Sequence, residues 1–394
     1  MSSVAFGIPR EYQRRLMTHG LSFAGKASCQ TEAMNLIDHS VYASRVRGCL
    51  LGGAVGDALG NPVEFRTTAE ILSAFPDGVR DFAKPVGEIT DDTQMTLFTV
   101  EGMIRANVRT ERGLGFTLGV IDHAYHRWLD TQTLAGPSGE HDGWLQAQRW
   151  LYARRAPGNT CLSALAAMRG QGYGNAASNN SKGCGGVMRS APFGLVPLHL
   201  VDNGDGDWPF EAAATCAGYT HGHITGQLAS GALAAIVQHI IAGAGLEDAL
   251  DATARILATR DGHEETLEAL ESARIAARSG GPSVSTLEGL GGGWIAEEAL
   301  AIAVYSALAF PDAEEFLDAL SLSVSHSGDS DSTGAICGNI LGALHGQPAV
   351  PANLAVRLEG RGTMLAIAED FIAEFTSDRD EDRGIYWGDR YPGW

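Results

Sequence analysis

Two short acidic segments lie far apart in this chain of 394 residues: Thr90-Asp91-Asp92-Thr93, and Gly328-Asp329-Ser330-Asp331-Ser332-Thr333. Each opens a stretch with helical periodicity, so each presents carboxylate and hydroxyl oxygens at a helix N-terminus. Brought together, the four aspartates would share one site. Two like charges about 4 Å apart repel by roughly 4 kcal/mol at an effective dielectric near 20, so such a cluster needs protons or cations. Oxygen donors suit hard divalent cations, Mg²⁺, Mn²⁺ or Ca²⁺, over zinc. Taken alone, each segment also reads as a helix cap whose Thr or Asp satisfies orphan N–H groups and complements the helix dipole. The second segment starts like a calcium loop, but the twelfth residue from Asp329 is Ile340, where an EF-hand needs glutamate. An EF-hand is excluded.

The two segments are separated by roughly 240 residues, and closing such a loop costs on the order of 5 kcal/mol of chain entropy. They meet only if a large core holds both helices. From Arg45 onward the apolar spacing is helical, and alternating β-branched stretches are absent. The spacing predicts helices over Thr93–Asn107, Thr117–Leu129, Thr160–Met168, Ile224–Ile241, Leu246–Thr259, Glu264–Arg278, Trp294–Ala309, Ala313–Ser325 and Thr333–Leu344. A Gly/Ala-rich helix from Gly48 ends in Gly60-Asn61-Pro62-Val63-Glu64, and its Gly52, Gly53 and Gly56 permit close backbone approach. Short Gly/Pro connectors between so many helices predict a single all-α domain over 41–375, a compact multi-helix orthogonal bundle. Residues 1–40 read as an N-terminal extension with a short helix around Pro9 to Met17. Residues 376–394 read as a charged, then aromatic tail (Tyr386, Trp387, Tyr391, Trp394) that docks partly on the body. The glycine-heavy stretch from Gly280 to Gly293 runs into an apolar helix start and reads as a loop within the domain.

A net charge of -19 argues against nucleic acid or an acidic membrane surface as partner, because phosphate binding over an extended face needs basic residues. A small phosphorylated ligand remains compatible, held by helix N-termini and glycine loops. The six cysteines form no CxxC pair and read as reduced thiols of a cytoplasmic protein. No leader opens the chain, and no run of 18 apolar residues lacks polar interruption, so neither secretion nor membrane spanning is expected.

Five segments in order give these residues a setting: GCLLGGAVGDALGNPVEF from Gly48, TDDTQMT from Thr90, SNNSKGCGGVMRSAPFGL from Ser178, YTHGH from Tyr219 with GGWIAEEALA from Gly292, and SHSGDSDSTGAICGNILGALHG from Ser325. Together they resemble the ADP-ribosylglycohydrolases over roughly Arg45 to Phe375. The resemblance implies a compact all-α fold with two Mg²⁺ ions, or Mn²⁺ in their place, at the bottom of a cleft. It implies as metal ligands Thr90, Asp91, Asp92, Asp329, Asp331 and Ser332, the last where many relatives have threonine; serine keeps the hydroxyl. Glu64 matches the family's mobile glutamate, and Glu64 or Asp92 is the expected catalytic carboxylate that manages the proton.

Around these, Asp57 reads as a partner behind the metal zone or as a helix-packing hydrogen bond. Gly183, Cys184, Gly185 and Gly186 are the candidate substrate-binding cradle for a pyrophosphate, and Arg189 pairs with phosphate or with an internal carboxylate. His221 is a candidate for lining the cleft, and His223 ranks below it. Neither makes a zinc pair. Trp294 and Tyr219 are candidate adenine-stacking rings or core. Asp130, Asp142 and Trp144 lie in a loop that could select the leaving group. The expected activity is metal-dependent hydrolysis of the bond between ADP-ribose and an acceptor, protein arginine first, with serine-linked, O-acetyl and guanidine-linked ADP-ribose as alternatives. The competing readings are a catalytically silent member of the same scaffold and a metal-dependent phosphatase. The expected partner is an ADP-ribosylated protein or a small ADP-ribose conjugate.

Overall fold

The computed structural model describes residues 38–139, 142–197, 200, 207–376 and 387–393. The helices over these residues are α1 (His39–Gly60), α2 (Thr68–Ala74), α3 (Asp91–Glu111), α4 (Gly119–Thr133), α5 (Asn159–Met168), α6 (Trp208–Gly218), α7 (Ile224–Ile241), α8 (Leu246–Leu257), α9 (Glu264–Arg278), α10 (Val284–Glu288), α11 (Ala296–Ala309), α12 (Phe316–Ser323), α13 (Ser330–His345), α14 (Ala352–Ala355), α15 (Arg361–Thr376) and α16 (Trp387–Arg390). Among the described residues no strand forms; only two isolated bridges occur, Gly87 with Leu358 and Gly183 with Ile295. The fold is all-α, as the periodicity predicts.

The predicted helices are present, and α7 and α9 have the predicted bounds. α1 begins nine residues before Gly48, at His39, because the Asp38 side chain caps it by accepting the Ser40 N–H at 2.8 Å. The stretch from Gly280 to Gly293 is an intradomain connector that contains α10, capped by Ser283 on the Thr286 N–H at 3.1 Å. Six helices are absent from the sequence reading, the short α2, α10, α14 and α16 and the longer α6 and α15. α6 is built mainly from small residues and shows no wide apolar stripe, whereas α15 carries buried Met364, Ile367, Phe371 and Ile372 at helical spacing. By length and composition α7 is apolar enough to cross a bilayer, but 83% of it is buried inside the fold, where it serves as a core helix. Nearly all of the expected N-terminal extension lies outside the described residues. The described part of the tail does dock: the Arg105 Nε–H donates to the Pro392 carbonyl at 2.7 Å, and Tyr391 is fully buried.

The feature that positions the acidic segments is the antiparallel pair α1 and α13. Glycines recur every fourth residue on both helices, Gly48, Gly52, Gly56 and Gly60 facing Gly342, Gly338, Gly334 and Ser330. A Cβ added at Gly56 would stand 1.9 Å from the Gly334 carbonyl oxygen, and one at Gly334 would stand 2.5 Å from the Gly56 carbonyl oxygen. The two backbones are therefore in direct contact, with no room for side chains between them. An interhelical bond from Asn339 Nδ2 to the Cys49 carbonyl, 2.8 Å, adds to the seam. Because the helices run antiparallel, the C-terminal end of α1 lies beside the N-terminal end of α13, which puts Asp57 and Glu64 next to Asp329 and Asp331.

Candidate active site

Asp57, fully buried, accepts the Thr90 N–H at 3.0 Å on both of its oxygens. It also accepts the Thr93 N–H at 3.1 Å and the Thr93 hydroxyl at 2.5 Å. One carboxylate on α1 thus holds the first turn of α3. Thr90 caps that helix, its hydroxyl accepting the Asp92 N–H at 3.3 Å, and the Gly158 N–H donates to Asp91 Oδ2 at 3.3 Å. Asp92 Oδ2 is buried and has no hydrogen-bond partner among the described residues. An unpaired buried carboxylate oxygen is costly and calls for a compensating group.

On the other side Asp329 caps α13, its Oδ1 accepting the Ser332 N–H at 3.4 Å; the same N–H lies 3.0 Å from Asp331 Oδ1. The Asp329 N–H donates to the Gly292 carbonyl at 2.9 Å, and the Cys184 thiol donates to Asp329 Oδ2 at 2.7 Å. The Ser332 hydroxyl lies 3.9 Å from Met188 Sδ. Glu64 enters from the turn after α1, and one carboxylate oxygen from each of Glu64, Asp329 and Asp331 lies within 4.8 Å of the others. The structure therefore gathers the two acidic segments and Glu64 into one place.

Their mutual repulsion shows in their acidities. Burial, then the Asp331 charge, pushes the Asp57 carboxyl up to about 7. Burial, then Asp331, Asp329, Asp91 and Asp57, pushes Glu64 up to about 10. Asp91, Asp92 and Asp329 are raised well above the carboxylate range, first by burial and then by Asp331. A cluster of this kind holds either protons or cations. The all-oxygen donor set, the unpaired Asp92 Oδ2 and the close triad of Glu64, Asp329 and Asp331 fit a hard divalent cation.

An acid with a raised folded-state value stays protonated in the folded protein while the unfolded chain is ionised, so folding takes up a proton and stability falls as pH rises. For Asp57 that interval runs from 3.8 to about 7, and for Glu64 from 4.5 to about 10. The EDTA-treated protein is expected to lose melting temperature as pH rises from about 5 to about 8, and Mg²⁺ is expected to flatten the decline. Thermal melts across this range check it; a flat metal-free curve would show that the cluster holds no extra protons.

The glycine loop packs closely against its neighbours. The Gly183 N–H donates to Ser181 Oγ at 3.3 Å and the Cys184 N–H to the Trp294 carbonyl at 3.1 Å, so both are committed internally. Gly185 and Gly186 are buried, and a Cβ on Gly185 would meet Cys161 Sγ at 2.8 Å. Two of the four loop amides are thus committed internally, and the two buried glycines pack against Cys161, Ala217 and His221. His221 lies beneath this loop: it is 1% exposed, its Nδ1 is 2.8 Å from Thr220 Oγ1, and burial, then Arg189, lowers its pKa to about 3. His223 caps α7, accepting the Thr225 N–H at 3.2 Å. Arg189 makes no ion pair with a carboxylate among the described residues; it donates to Thr220 Oγ1 at 2.7 Å and lies 4.1 Å over the Tyr125 ring.

Tyr219 is buried core, whereas Trp294 is 43% exposed and stacks on Phe65. Asp130 lies on α4, not in a loop, and joins Arg169 at 2.7 Å; Asp142 joins Arg105 at 2.9 Å, and Arg390 covers the Trp144 ring at 3.9 Å, so these groups are tied into two ion pairs and a cation–π contact. Sequence reasoning did not single out Gly158, the Cys184 thiol or Phe65. Phe65 follows Glu64 directly, but no local pattern marks an aromatic residue for positive φ.

A family model described as ADP-ribosylglycohydrolase matches residues 38–381. A Rhodospirillum rubrum protein named ADP-ribosyl-[dinitrogen reductase] glycohydrolase is 29% identical over 325 residues, 80% of this chain and 90% of the relative. A Pseudomonas putida (strain GB-1) protein named ADP-ribosylarginine hydrolase Tri1 is 26% identical over 315 residues, 78% of this chain and 72% of the relative. A solved chain from an ADP-ribosylglycohydrolase-related protein complex superposes with a TM-score of 0.60 at 23% identity, covering 86% of this chain and 100% of its own. This last likeness speaks to the fold alone.

Proposed function

The chain belongs to the ADP-ribosylglycohydrolase family and is a glycosyl hydrolase by that membership, and from this premise we propose that it uses divalent cations, Mg²⁺ first and Mn²⁺ as alternative, to remove ADP-ribose from arginine side chains of proteins. The observation that carries the metal is the convergence of Glu64, Asp329 and Asp331 beside the unpaired Asp92 oxygen. The printed names of the Rhodospirillum and Pseudomonas relatives support the substrate class, the second naming arginine as acceptor.

Asp91, Asp92, Asp329 and Asp331, with the Thr90 and Ser332 hydroxyls, would hold two cations. When bound, the cations would supply Lewis acidity toward the ribose hydroxyls and acidify a water. Hydrolysis places the water oxygen on C1 of the distal ribose while the bond from C1 to the acceptor nitrogen breaks, with oxocarbenium character at the carbon. The guanidine leaves carrying one proton from the water. Glu64 and Asp92 are the two groups of this chain assigned to move it: Glu64 is half-buried and faces Asp329 and Asp331, and Asp92 has an oxygen free of other bonds. Asp57 is a positioning residue, holding the α3 N-terminus so that Asp91 and Asp92 face α13.

The test is incubation with ADP-ribosyl-arginine, an ADP-ribosyl-serine peptide and ADP-ribose, each with Mg²⁺ and with EDTA. Free ADP-ribose from the arginine conjugate, lost in EDTA and restored by Mg²⁺, is the expected result. Release of AMP or phosphate in its place, or no release from any conjugate, would overturn the reading.

A further inference from the structure

Phe65 has φ 65°, the left-handed region that aromatic side chains seldom adopt. Its ring is 70% exposed and stacks on Trp294, 43% exposed, with centroids 5.4 Å apart and planes inclined by 28°. Both rings are held by the elements that build the acidic site. Phe65 is bonded to Glu64, whose carboxylate lies within 4.8 Å of Asp329 and Asp331. The Trp294 carbonyl accepts the Cys184 N–H at 3.1 Å, and the Gly292 carbonyl, two residues before, accepts the Asp329 N–H at 2.9 Å. Behind Phe65 the chain is tied down, the Thr68 N–H donating to Ser327 Oγ at 2.7 Å. The aromatic pair is thus fixed, open to solvent and adjacent to the carboxylates.

That position decides which part of a substrate it meets. In an ADP-ribose conjugate the adenine lies a diphosphate and two riboses away from the anomeric carbon, whereas the acceptor is bonded directly to it. Rings flanking the carboxylates therefore border the acceptor. An aromatic face carries negative potential and attracts a guanidinium; a neutral serine linkage gains nothing from it.

We propose that Phe65 and Trp294 form an aromatic clamp for the guanidinium of an arginine-linked acceptor and set the preference for that linkage over a hydroxyl-linked one. The inference rests on the hydrolase reading above and adds the residues that choose the acceptor. Phe65→Gly suits the test, because glycine accepts positive φ without strain and only the ring is lost. Trp294→Leu and the conservative Trp294→Phe accompany it.

The experiment measures kcat/KM for ADP-ribosyl-arginine and ADP-ribosyl-serine peptides, together with ADP-ribose affinity by calorimetry. The arginine-to-serine ratio is expected to fall about 5- to 20-fold in Phe65→Gly and Trp294→Leu, to recover in Trp294→Phe, and ADP-ribose affinity to stay within about twofold. Equal losses on both linkages, or a drop in ADP-ribose affinity, would overturn the clamp. A wild type that cleaves the serine linkage but not the arginine linkage would also overturn it while leaving the hydrolase reading intact. A wild type that neither binds ADP-ribose nor cleaves either conjugate would defeat the hydrolase reading itself, and the clamp with it.

Discussion

Gly56→Val is expected to destabilise the protein by on the order of 3–5 kcal/mol, the scale of severe overpacking in a rigid core. The ideal Cβ at this position stands 1.9 Å from the Gly334 oxygen, 2.3 Å from the Gly334 carbonyl carbon and 3.1 Å from the Ala335 nitrogen. These are backbone atoms of a buried helix, so no side-chain rotation relieves the clash. Reaching ordinary contact near 3.4 Å would push α1 and α13 about 1.5 Å apart. Gly52 and Gly48 would lose their contacts with Gly338 and Gly342 in the same motion. The displacement also separates Asp57 and Glu64 from Asp331, so activity is expected to fall even where the variant folds. Gly280→Ala is the control: nothing lies within 4 Å of its added Cβ, and it is expected to stay within about 0.5 kcal/mol of wild type. Chemical denaturation of the three proteins reads the difference; a Gly56→Val variant as stable as Gly280→Ala would show that the helices are not in backbone contact.

Asp331→Asn is expected to have two effects of opposite sign. Asp331 is the charge that raises Glu64, Asp57, Asp91, Asp92 and Asp329 after burial itself. Removing it relieves the repulsion, so the metal-free variant at about pH 8 should be more stable than wild type by on the order of 1–3 kcal/mol. The same change removes a cation ligand, so hydrolysis should drop by a factor on the order of 10³ or more. Mg²⁺ should raise the melting temperature of wild type and leave that of the variant unchanged. Melting curves with Mg²⁺ and with EDTA, beside the hydrolysis assay, separate this outcome from plain capping. If Asp329 and Asp331 were only caps, the variant would be less stable under both conditions and ADP-ribose release would persist.

Much of this arrangement was legible in the sequence because it is local. The apolar spacing marked α7 and α9, and the clustered Thr, Asp and Ser residues marked both helix N-termini whether or not a metal is invoked. The glycines of α1 announced a close approach, but the partner did not follow from α1 alone. Only the equal four-residue spacing of Gly334, Gly338 and Gly342 on a helix far along the chain identifies α13 as the other side of the seam. The glycine loop was harder. Its composition does not say which amides are free, and the two bonds that commit the Gly183 and Cys184 amides, to Ser181 Oγ and to the Trp294 carbonyl, depend on tertiary placement. His221 illustrates the same limit, since its burial beneath Gly183 and Gly185 is set by where α5 and α7 pack. Phe65 was beyond reach for another reason: backbone strain at an aromatic residue leaves no compositional trace.

The most direct measurement is a calorimetric titration of the metal-free protein with Mn²⁺, for wild type, Asp92→Asn and Asp331→Asn. If the two distant acidic segments form one centre, wild type binds the ion, and each single substitution weakens binding by at least about 10-fold although the two sites are on different helices. Wild type that binds no ion, or a substitution at one segment that leaves binding undiminished, would contradict the account.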